Sequence, residues 1–115
     1  MQVSITIIEP WDLGEATNWQ PLHGQLIRLS NHEGGGRALI KLDKAVDTGD
    51  AQWAYLIGAP RHIGDQIEAL RKGTSVMSTF MGITSQQAML ENPFDTAKGP
   101  GVLAFIGDLV SRDAP

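Results

Sequence analysis

The sequence predicts a mainly β domain with two short helices, an α+β chain built on a bent antiparallel sheet or small β-barrel of about six strands. Three observations carry this. Runs rich in β-branched and aromatic residues recur along the whole chain. Turn-forming residues separate them, most clearly at Asn31-His32-Glu33-Gly34-Gly35-Gly36. Four strands in succession precede the first helix, which is unlike the strict strand–helix alternation of a doubly wound parallel sheet.

Taken in order, Val3, Ile5 and Ile7 share one face and alternate with Ser4 and Thr6, the pattern of a half-buried strand. Residues 25–30 and 37–42 form a hairpin across the glycine-rich joint, because glycine accepts positive φ without a Cβ clash. Residues 52–59 make a fourth strand, with Trp53, Tyr55 and Ile57 expected on one side. A helix is expected over about 61–72, since Ile63, Ile67 and Leu70 stand at i, i+4 and i+7. Gly64 weakens its first turn, so its start falls between Arg61 and Asp65, and Gly73 is placed to stop it. Glu68 and Lys72 are spaced to pair across one turn.

Residues 75–83 read as a fifth strand. A second helix over about 85–91 opens on a capping box of Thr84 with Gln87, and Asn92-Pro93 ends it. The last strand, 102–110, is apolar on both faces from Val102 to Ile106 and therefore central. The expected core is Ile5, Ile7, Ile27, Leu29, Ile40, Leu42, Tyr55, Ile57, Ile67, Leu70, Phe80, Leu103 and Phe105.

Length and composition narrow the function classes. At 115 residues and 42% hydrophobic content, residues 1–115 read as a single globular domain. There are no cysteines, which excludes a disulfide framework, a thiolate zinc site and a thiol nucleophile. The first residues lack the basic region of a signal peptide, and no apolar run approaches the roughly 20 residues a membrane helix needs. A cytoplasmic domain without membrane contact is expected. Nine Lys and Arg against 13 Asp and Glu give a net charge of −4. Nucleic-acid binding rests on phosphate neutralisation, so no nucleic-acid partner is expected.

The segment 10–24 holds the strongest candidate site. It joins the first two strands, is longer than most connections, and contains Trp11, Asp12, Glu15, Trp19 and His23. Tryptophan supplies large apolar area with one donor and is common at binding hot spots. The alternative is structural: Trp11 and Trp19 would plug one end of the barrel, as buried tryptophans usually do.

Other chemistry is thinner. His62 and Asp65 could face one way on a helical turn, but no second ligand pair accompanies them, so no metal and no cofactor are expected. Arg61, His62, Asp65 and Arg71 could serve a metal-free phosphodiesterase or ribonuclease, although nothing sets a second catalytic base. Gly34-Gly35-Gly36 leads into a strand rather than a helix and lacks the context for cradling phosphate.

The leading expectation is therefore a small acidic protein-binding module rather than an enzyme. An inhibitor or bacterial immunity-type protein that blocks a basic toxin or enzyme is its concrete form. The alternatives are a small-ligand barrel lined by Trp11, Trp19, Trp53 and Tyr55, or an enzyme using His62.

Overall fold

The alternation of Val3, Ile5 and Ile7 against Ser4 and Thr6 is realised in strand β1 (Gln2–Glu9), whose three apolar residues are all buried. In the computed structural model it begins a closed six-stranded barrel, with β2 (Leu22–Ser30), β3 (Arg37–Asp47), β4 (Gln52–Pro60), β5 (Val76–Ile83) and β6 (Ala104–Ser111) following in chain order. The structure describes residues 1–9, 21–30, 36–47, 52–61, 67–83 and 104–112. Each strand pairs antiparallel with its neighbours, and β6 closes onto β1 from Val3 opposite Ser111 to Ile7 opposite Gly107. The expected small barrel is thus closed, and closure leaves no strand at an edge.

Residue volume explains why the interior fills. Ala38, Gly58, Phe80 and Phe105 stand in one row of register across β3 to β6. Two large rings on one side therefore meet two small residues on the other. Phe80 and Phe105 stack with centroids 5.1 Å apart and planes 21° apart, and both are fully buried. A Cβ on Gly58 would stand 2.7 Å from Phe80 Cε1, and one on Gly107 would stand 2.7 Å from Ile5 Cγ2 and 3.2 Å from Phe80 Cε2. The missing side chains are the space the ring occupies. Eight strands make an interior just wide enough for side chains to fill, and six make a narrower one.

Departures from simple alternation have local causes. Ile27, expected in the core, is 47% exposed. The β2–β3 register shifts between Leu26, opposite Ile40, and Arg28, opposite Leu39, so Ile27 is the extra residue of a bulge. Leu26 packs against the core in its place, and both it and the expected Leu29 are only partly buried there. Leu103 lies outside the described residues. Trp53, Tyr55 and Ile57 do not share a side: Trp53 packs with the interior cluster, while Tyr55 and Ile57 join Leu39 in a second one. The β3–β4 register shifts at the same place, with Lys41 facing Tyr55 but Val46 facing Trp53.

β2 starts earlier than expected because Leu22 and Gly24 already point inward. Gly24 is a close-approach residue, where a Cβ would lie 2.6 Å from the Lys41 carbonyl oxygen. β3 runs on to Asp47 because Val46 returns to the core after the exposed Asp43 and Lys44.

The first helix is also revised. The described part is a 3-10 helix over Ile67–Lys72, with Ile67 and Leu70 buried in the barrel's main cluster. Residues i and i+3 eclipse in a 3-10 helix. Glu68 accordingly meets Arg71 at 3.6 Å, in place of the Lys72 expected from α-helical spacing. Gly73 ends it as expected: at φ 80° its N–H bonds Leu70 O and the Thr74 N–H bonds Ala69 O, a Schellman closure. The second expected helix, 85–91, lies outside the described residues.

Candidate functional site

Of the residues expected to form the binding surface, Trp11, Asp12, Glu15 and Trp19 lie outside the described residues. His23 does not sit in a loop but in β2, opposite Ser4 of β1, between the buried Leu22 and Gly24. Strand alternation turns its imidazole outward, where it is exposed. The connection between β1 and β2 therefore covers 10–21, and His23 stands on the barrel wall two residues beyond it.

The outer wall around His23 is polar. Gln2, Gln25 and Lys41 form one row across β1, β2 and β3. One strand further the character changes, because Lys41 is followed on β4 by the buried Tyr55. In the neighbouring row Arg28, Leu39, Ile57, Met81 and Ala104 are in register, and Leu39 and Ile57 are only 2% and 4% exposed. The boundary between the two kinds of outer surface runs along β3.

The interior offers little to chemistry. Its buried polar residues among those described are Ser78 and Ser111, and the Ser78 hydroxyl donates to Val76 O at 3.0 Å. Among the described residues no buried side-chain nitrogen or oxygen lacks a hydrogen-bond partner. No group of three His, Asp or Glu side chains among them is arranged to hold a metal ion. Of the residues read as a phosphodiesterase set, His62 and Asp65 lie outside the described residues. Arg61 is exposed, its backbone N–H donating to Met77 O at 2.9 Å, and Arg71 is engaged by Glu68. Trp53 and Tyr55 belong to different clusters and do not line one pocket together.

Charge differs between segments of the chain: residues 10–24 hold Asp12 and Glu15 and no Lys or Arg.

No protein-family model, curated protein or solved structure matches this chain.

Proposed function

We propose that this protein is a small binding module that acts by direct contact, in concrete form an inhibitor or immunity-type protein that neutralises a toxin or enzyme. Trp11, Asp12, Glu15, Trp19 and His23 form its partner-facing surface, and a basic protein is its partner. The observation that supports this best is the filled interior. Phe80, Phe105, Ile5, Ile40, Leu56 and Leu109 are each at most 1% exposed, so the barrel's inside is occupied by its own side chains. Ligand pockets instead combine a concavity of some hundreds of cubic ångströms with a few convergent polar groups, on the order of 300–1,000 Å³. A rigid closed frame suits a protein whose work is done on its surface, because a preorganised surface loses less entropy on association.

Electrostatics supports the choice of partner. Residues 10–24 hold Asp12 and Glu15 with no Lys or Arg, and such charge steers association with a basic surface. The test is affinity capture with the full chain followed by association kinetics on the captured protein. Asp12→Ala and Glu15→Ala should each slow association and flatten its salt dependence, with stability held within about 0.5 kcal/mol. Trp19→Ala should cost the complex about 2 kcal/mol or more, as at a hot spot. A captured partner whose kinetics ignore all three changes would overturn the reading.

A further inference from the structure

Five of the eight Lys and Arg among the described residues stand at one end of the barrel. In this strand order the β2–β3 and β4–β5 connections emerge at the same end. Arg28 near the end of β2, Arg37 at the start of β3, Arg61 just after β4, and Arg71 and Lys72 of the 3-10 helix all stand there. Glu68, already engaged with Arg71, is the acid on the described part of these two connections.

Three of these arginines form a corner. Arg28 faces Leu39, placing Arg37 at its diagonal neighbour position on β3. Ala38 faces Gly58, so Arg37 stands opposite Ala59 and diagonal to Arg61. Alternation puts all three side chains on the outer face, and the Arg61 N–H bond to Met77 O extends the ladder through that residue. Diagonal neighbours on one sheet face are about 7–8 Å apart, within reach of long side chains. Arg37 Nη1 donates to Gly36 O at 2.7 Å, and neither Arg37 nor Arg61 makes an ion pair with a described residue. Like charges gathered this way repel, and an anion seated between them relieves the repulsion.

We propose that the corner beside Arg28 docks an acidic peptide segment of a partner protein, its carboxylates accepting from the Arg37 and Arg61 guanidinium forks. Arginine pairs bidentately with carboxylates, which suits a segment bearing several Asp or Glu. Nucleic acid fits less well. Single strands are held by stacking bases on aromatic rings as well as by charge, and no aromatic among the described residues is exposed. These residues are different ones from Trp11, Asp12, Glu15, Trp19 and His23, so either assignment can fail without the other.

The test is fluorescence anisotropy of labelled hexaglutamate with the full chain at about 0.05 M salt, where screening is weak. Binding should weaken about tenfold or more in Arg37→Glu/Arg61→Glu, as when close charge pairs are lost. Lys41→Glu/Lys44→Glu, an equal charge change elsewhere, should leave it unchanged. Should the reversed variant fold poorly, Arg37→Gln/Arg61→Gln must still weaken binding. Hexaglutamate binding that is absent, or equal in the corner variants and the control, overturns the proposal. Tighter binding of single-stranded RNA lost in the same variants assigns the corner to nucleic acid instead. Salt-sensitive self-association abolished by those variants assigns it to a second copy of the chain, and each result overturns the acidic peptide.

Discussion

The outer face of β1 and β2 and the outer face of β4 sit on the same barrel wall but follow different rules. On β1 and β2 the outward residues include Ser4, Thr6, His23 and Gln25, and the strands alternate apolar and polar. On β4, Tyr55, Leu56, Ile57 and Gly58 are buried in unbroken succession. Leu39 joins Tyr55 and Ile57 in a cluster of their own outside the main core. A strand buried on both faces no longer advertises which face is inner. That is why β1 can be read directly from its pattern, whereas the inward and outward residues of β4 could not be told apart.

This contrast can be broken by substitution. The largest effect belongs to the interior: Phe80→Ala should cost about 3–5 kcal/mol in chemical denaturation, because the buried ring fills the space over Gly58 and Gly107 on the two flanking strands. Ile57→Ala tests whether the outer face of β4 behaves as core, and should cost about 2–5 kcal/mol. A loss there no greater than that of a surface residue would erase the distinction. Gly58→Ala should cost about 1–3 kcal/mol by overpacking against Phe80. Adding Phe80→Leu should recover part of that loss, giving a coupling of about 0.5 kcal/mol or more between neighbours. At the small end, Gln25→Ala on the polar wall and Glu68→Ala in the exposed ion pair should each stay within about 0.5 kcal/mol.

Much of the fold was legible because it depends on short-range pattern. All six strands, the antiparallel arrangement and eight core residues follow from alternation and β-branched content, and Ile67 and Leu70 from helical spacing. Bulges were not legible. One extra residue at Ile27 put it out of step with Leu29, and the β3–β4 register shifts where Trp53 and Tyr55 part. Glycines within strands misled for a related reason. Gly24 looked like a loop residue, yet its place is set by the carbonyl of Lys41 across the sheet, a contact between residues distant in sequence. Of the candidate site, only the exposure of His23 on β2 bears on the described wall. The arginine corner escaped notice because its members are spread over residues 28–61 and meet only through strand pairing.

The division of labour proposed here, a self-filled barrel carrying a binding surface at residues 11–23, turns on Trp19. The most direct test is chemical denaturation of the free Trp19→Ala protein beside the unmodified chain. As a binding residue, Trp19 should leave the stability of the free protein within about 0.5 kcal/mol. A loss of about 3–5 kcal/mol, the cost of truncating a core aromatic, would make it a plug of the barrel and contradict the account.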